Sequence, residues 1–210
     1  MSLTLLYRFA SGGNYSQESA LQDVDDIDGA AQFKDIADSF VDILPKAYPL
    51  VITLQKFLIM LDGTVGNSFF EKFYDARELS NWEDGKAPIF LQNFIRTREV
   101  NYEKFCSTYW PHFNAKLTKK LDSTRVFTEI MSHIKGGLRS GDSCDGRLNE
   151  DDYVKLSEGR VSTLSRHERE MIYDIFQDYE KMKGENGEFD MADLVIDLHH
   201  RLQSEGMRVT

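Results

Sequence analysis

The sequence predicts a mainly α protein, with at most one or two short strands near Val51. Three observations carry that expectation. Apolar residues recur at helical spacing through most of the chain from Leu54 onward. Several of those stretches open on a capping residue followed three positions later by an acid. Only one β-branched run, LVIT at 50–53, reads as a strand.

Taken in order, residues 1–39 read as an acidic mobile linker. The stretch SGGNYSQESALQDVDDIDGAAQ, from Ser11, is too poor in large apolar residues to offset the entropy of ordering it. Structure is expected from about Phe40, and Pro45 and Pro49 favour extended backbone before the Val51 strand. Leu54, Phe57, Leu58 and Leu61 then line one helix face, which Asp62-Gly63 is expected to end. Ser80 and Glu83 form a capping box. Asn101 can cap a helix running through Phe105, and Pro111 suits the first turn of another containing Phe113, Leu117 and Leu121.

Val126, Phe127, Ile130, Met131 and Ile134 make the next stripe, stopped at Gly136-Gly137; RSGDSCDG, 139–146, is a loop. Asn149 caps a short helix with Asp152 at its third position. Ser165 and Glu168 form a second capping box, opening a helix with Met171, Ile172, Ile175, Phe176, Tyr179 and Met182 on one side. Asp190 caps the last helix, with Asp193 as its capping-box acid and Phe189 and Leu194 as a hydrophobic staple. Leu194, Val195, Leu198 and Leu202 continue its buried face. No internal repeat is visible.

Composition excludes several classes of protein. Hydrophobic residues at 41% describe a globular chain, and no apolar run approaches the roughly 20 residues of a membrane span. Cys106 and Cys144 make no disulfide framework, which suits a reducing compartment, so an intracellular location, nuclear or cytoplasmic, is expected. The net charge of −10 argues against a generic nucleic-acid binder, but the charge is uneven. Residues 1–45 carry eight acids against Arg8 and Lys34, whereas residues 114–139 carry Lys116, Lys119, Lys120, Arg125, Lys135 and Arg139 against Asp122 and Glu129. That basic stretch reads either as a solvated helix face or as a phosphate-contacting surface, with Tyr109 and Trp110 as stacking groups.

Chemical candidates fare less well. Placing Gly187 or Gly146 at the sixth position of a calcium loop leaves Met182 or Gly141 at the first, where an oxygen ligand is required. His199 and His200 are adjacent, so on a helix they point about 100° apart and share a metal poorly. Cys106 has His112 nearby but reads as a half-buried structural thiol. No phosphate loop or nucleophile elbow occurs. No catalytic residue and no metal ligand is therefore assigned.

The segment IYDIFQDYEKMKGENGEFDMADLVIDLHHRL, 172–202, resembles the region just upstream of the Walker B motif in UvrD/Rep-type superfamily 1 helicases. Asp190, Met191, Ala192, Asp193 and Leu194 follow that family's run "Asp-Phe-Ala/Asp-Glu/Asp-Leu-Leu", with Met for Phe. YPLVITLQKFLIML, 48–61, is similar to the family's strand-plus-helix element: Thr53 matches its threonine, Leu54 replaces Phe, and Gln55 replaces the His lining the single-strand path. VFTEIMSHIKGG and SEGRVSTLSRHERE look like the plant relatives linked to tetratricopeptide and ankyrin repeat-containing proteins.

The resemblance implies a helical accessory (insertion) subdomain lying between absent Walker A and Walker B motifs. Residues 40–65 would be the strand-helix element, 66–170 the insertion, and 171–205 the return helices. It implies DNA or RNA as partner through a parent motor, and the missing helicase motor domains beside it. ATP and Mg would be cofactors of that ATP-hydrolysing parent, with none in this chain, which would be inactive alone. Thr53 and Gln55 would touch a strand, with Lys116, Lys119, Lys120 and Arg125 as phosphate contacts. The alternative is an all-α protein-interaction module with a protein partner, in a parent that has lost motor activity.

Overall fold

In a computed structural model of the chain, the described residues are 39–43, 50, 52–73, 87–137, 146–158 and 163–204. They are mainly α, and among them β pairing is limited to one isolated parallel bridge between Glu99 and Phe189. The chain divides into two units, 1–64 and 65–210. The expected strand at Val51 and the capping box of Ser80 and Glu83 lie outside the described residues; Leu50, Ile52 and Thr53 are irregular.

The first unit is built on helix α1, Leu54–Val65. Thr53 is its N-terminal cap, the hydroxyl accepting from the Lys56 amide at 3.2 Å. The Thr64 hydroxyl accepts from the Phe40 amide at 2.9 Å, and the Phe40 and Phe57 rings meet edge-on at 5.4 Å. Two expectations need correction. The helix passes through Asp62-Gly63 and ends at Gly66 and Asn67, which adopt φ of 78° and 49°. An interior glycine costs only about 1 kcal/mol, whereas the left-handed backbone that stops a helix is supplied by Gly66. Leu54 and Phe57 are not core residues, being 75% and 42% exposed.

The second unit is organised around α7, Arg166–Glu185, preceded by α2 (Ala87–Arg98), α3 (Tyr102–Lys104), α4 (Ala115–Thr118), α5 (Ser123–Glu129) and α6 (Glu150–Lys155), and followed by α8 (Met191–Ser204). Ser165 and Glu168 make the full reciprocal box at the start of α7. The Ser165 hydroxyl and amide hold the Glu168 carboxyl below its ordinary range. Asn101 and Asn149 cap as their sequence positions require, accepting from Lys104 and Asp152 amides at 2.9 Å each.

Two helices widen into π turns: α3 continues as Phe105–Tyr109 and α5 as Ile130–Ile134. They press Phe105, Tyr109, Val126, Ile130 and Ile134 against Ile172, Ile175, Phe176 and Tyr179 of α7 in one core. The helix expected from Pro111 through Leu121 is broken. Pro111 is the middle residue of a 3₁₀ turn, Trp110–His112, after which Phe113 is extended and Asn114 re-caps the short α4. A second aromatic cluster joins Phe69, Phe70 and Phe73 to Phe94 and Phe189, the last two stacked at 5.8 Å. Bulky buried rings of this kind contribute the largest packing terms in a small core.

Candidate interaction site: a buried charge cluster beneath an open groove

Helix α7 places Tyr179, Glu180 and Lys183 on successive turns facing α8. The backbone then leaves α7, pairs Phe189 with the end of α2 (Val100 N–H to Phe189 O, 2.7 Å; Phe189 N–H to Arg98 O, 3.1 Å), and enters α8. Asp190 and Asp193 form a reciprocal cap there, each carboxylate accepting from the other's amide at 3.1 and 3.0 Å. Phe189 and Leu194, at the two staple positions, are both almost wholly buried. Val195, expected in the same buried face, is 45% exposed; the stripe of α8 is narrower than the sequence suggests.

The caps do a second job. Lys135, at the end of the π turn with its amide bonded to Ile130 O, has a side chain with no exposed surface. Its ammonium donates to both Asp190 oxygens at 2.8 and 2.6 Å, to Asp193 at 2.6 Å and to Glu180 at 3.1 Å. Lys183 donates to the same three carboxylates at 2.7, 2.6 and 2.7 Å. The Tyr179 hydroxyl donates to Asp190 at 3.0 Å, and Arg147 reaches Glu180 at 2.7 Å. Three cations thus face three carboxylates. Ions removed from water are tolerable on those terms, with partners close and lone pairs used.

Electrostatics follow from burial and these partners. Burial alone would raise the Asp190 carboxyl, but Lys135 and Lys183 outweigh it and hold it well below the usual carboxylate range. Burial alone would lower the Lys183 ammonium; Asp190, Asp193 and Glu180 overcome that and push it up. The Tyr179 phenol is pushed up by burial and then by Asp190. The oxygens of Glu180, Asp190 and Asp193 lie within 4.8 Å of one another, near enough to share a metal ion. The two ammonium groups occupy the position a cation would take.

Beside it, Glu188 accepts from the Tyr109 hydroxyl and pairs with Lys104 at 2.9 Å. Burial and that contact push the Tyr109 phenol up. Tyr109 is a core residue with no exposed surface, so its expected role as a stacking group is corrected. Over the cluster lies an open groove of about 980 Å³, walled by α7, α8, the turn Phe69–Phe73 and residues 147–149. Gly146 brings that last wall close. It has φ of 63°, and a Cβ there would stand 2.4 Å from Ile196 Cγ2, so a side chain would push α8 away.

The sequence-assigned residues sit elsewhere. Thr53, in the first unit, is the cap described above, and Gln55 is half-buried. Lys116, Lys119, Lys120 and Arg125 are exposed; Arg125 donates to the Thr163 carbonyl and hydroxyl at 3.1 and 2.7 Å. His199 is exposed and bonded to Gln203, whereas His200 lines the groove; their rings are 6.1 Å apart. Cys106 is half-buried, its thiol 3.4 Å from the Ser123 hydroxyl. Sequence reasoning passed over Lys135, Glu180, Lys183 and Arg147. A signal for Lys183 was present: it falls at helical spacing on the stripe of Ile172, Phe176 and Tyr179, where a solvated lysine does not belong.

Fold and site together define an all-α module whose interior charges are spent on one another beneath a groove. No protein-family model matches the chain, and no solved structure matches it. The chain is 25% identical over 193 residues to TPR and ankyrin repeat-containing protein 1 of Homo sapiens, a match covering 77% of this chain and 6% of that protein. The chain therefore spans a small fraction of the relative's length. These findings overturn the UvrD/Rep-type helicase resemblance, and with it the helicase and hydrolase assignments: the matched relative is a repeat-containing protein, and no helicase family is found. The run Asp190 to Leu194 has a local explanation, since reciprocal capping and lysine pairing require those acids whatever lies beyond. Among the described residues, no helix is long and apolar enough to cross a membrane.

Proposed function

We propose that this chain is an all-α protein-interaction module that uses the groove between α7 and α8 as its binding surface. The observation that carries the reading is the groove itself. Its size, about 980 Å³, suits the anchoring side chains of a docked segment. Its base is held by a cross-linked charge cluster joining Lys135, at the end of the π turn Ile130–Ile134, to α7 and α8, so little ordering cost remains for binding. The likeness to a human repeat-containing protein supports a protein partner over a small-molecule substrate.

Site-specific photo-crosslinking tests this. A benzophenone side chain at Lys181 or Asp197 on the groove, and at Lys119 on the basic stretch as control, is carried by the full chain in cells. The expected result is one protein cross-linked from both groove positions and absent from Lys119, with binding then reproduced using that protein purified. Adducts confined to nucleic acid, or formed equally at Lys119, would overturn the reading.

A further inference from the structure

We infer that Thr163 is a phosphorylation site, modified by a serine/threonine protein kinase that selects arginine three residues before its target, and that Arg125 receives the phosphate. The inference goes beyond the groove reading and does not depend on it. In GRVSTLSRHERE, 159–170, Arg160 stands three positions before Thr163. That spacing decides nothing by itself. The chain repeats it at Thr128 and Ser204, and at Ser11 and Ser80, which lie outside the described residues. Local structure separates the described three. Thr128 lies within α5. Ser204 ends α8, its hydroxyl donating to the His200 and Arg201 carbonyls at 2.7 and 3.0 Å. Both are held in helical backbone, whereas a kinase cleft takes its target extended. Thr163 is exposed, outside any helix, and two residues before Ser165, the extended cap of α7.

The receiving group is already in place. Arg125 Nη2 donates to the Thr163 hydroxyl at 2.7 Å and to its carbonyl at 3.1 Å, across 38 positions of chain. Leu164, buried in the core, and Ser165, capping α7, fix the backbone that follows and keep Thr163 over Arg125. Modification requires Leu164 to leave the core briefly, a local opening and not global unfolding. In the transfer, Thr163 Oγ1 attacks the γ-phosphorus of ATP and the bond from that phosphorus to the bridging oxygen of the β-phosphate breaks. ADP departs with the electron pair, and the hydroxyl proton passes to a carboxylate of the kinase. The phosphothreonine carries a charge of about −1.5 to −2 and three strong acceptor oxygens. A neutral hydrogen bond thus becomes a charge-assisted pairing with the planar fork of Arg125. Glu168 also feels that arginine, but its carboxyl is held down first by Ser165 and only then by Arg125. Phosphorylation therefore braces α5 against the start of α7.

The test incubates the full chain with Mg-ATP and the catalytic subunit of cyclic-AMP-dependent protein kinase, an arginine-directed enzyme, with a peptide of residues 157–169 as the control for kinase activity. Mass spectrometry of proteolytic fragments is expected to place phosphate on Thr163 at near stoichiometry. The treated chain is expected to melt about 2–4 °C above the untreated one. That rise should vanish in Thr163→Val and in Arg125→Gln, each compared with its own untreated form so that any change in the parent fold cancels. Phosphorus NMR gives a second readout: the second ionisation of the Thr163 phosphate should fall at lower pH in the natural chain than in Arg125→Gln, because the guanidinium favours the dianion. Thr163 left unmodified while the control peptide is phosphorylated overturns the site, whichever other positions take phosphate. A modified Thr163 whose melting rise and ionisation are unchanged in Arg125→Gln overturns Arg125 as the receiver.

Discussion

Lys135 and the trio Lys116, Lys119 and Lys120 belong to one basic stretch of sequence, yet they meet opposite environments. The Lys135 side chain is fully buried against three carboxylates drawn from α7 and α8. The other three are exposed on α4 and the turn after it. A run of like charge is therefore not one surface. The π turn Ile130–Ile134 ends on Lys135 and directs it inward, while Asn114 re-starts the chain as a short solvated helix. Counting Lys135 with its neighbours overstates the basic face and hides the residue that matters for stability.

The contrast can be broken experimentally, beginning with the cluster. Lys135→Met leaves Asp190 and Asp193 with one ammonium fewer in a dry site and is expected to cost about 3–5 kcal/mol; urea unfolding followed by circular dichroism measures it. A cost below about 1 kcal/mol would show that water enters the cluster and that burial is not what sets Lys135 apart.

Acid and alkali probe the same residues from the other side. Asp190 has a depressed folded-state pKa, so its contribution is present above the unfolded value of about 3.9 and is lost as pH falls below it toward the folded value. Lys183 has a raised one; its contribution is intact below about 10.4 and is lost as pH rises past that. Melting temperature against pH is therefore expected to fall at both extremes. Asp190→Asn should flatten the acid arm, and an unchanged acid slope in that variant would place the sensitivity on other carboxylates.

Gly146→Ala is expected to cost about 1–3 kcal/mol, because the new Cβ meets Ile196 and the backbone has positive φ. Ile196→Ala in the same chain should recover the clash part only, which thermal unfolding of the single and double variants resolves. At the small end, Lys116→Glu, Lys119→Glu and Lys120→Glu should each stay within about 0.5 kcal/mol of the parent. A larger loss would mean that the trio is held in contacts comparable to those of Lys135, and the comparison would collapse.

Much of the fold was legible where the signal is local. Asn101, Asn149, Ser165 and Asp190 cap as read, because a side-chain acceptor and an amide two or three residues on lie within one turn. The core side of α7 followed from period alone. The helix boundary at Gly66 was misplaced because an interior Gly63 and a terminal glycine look alike until φ is known. The π turns left no trace, since one extra residue in a turn is selected by what it packs against. One anchor of the helicase resemblance was the run Asp190 to Leu194, whose two acids are employed in local capping and buried pairing.

Sequence by itself determined the mainly α class, the capped starts of its helices and the apolar stripe of α7, all governed by contacts within a few residues. Tertiary structure alone decided that Lys135 would meet Asp190 across 55 positions and that Glu180 and Lys183 would join them. The physical reason is dielectric. A charge in sequence has no fixed energy; its partners and its access to water set its worth, and both are assigned only when distant segments pack.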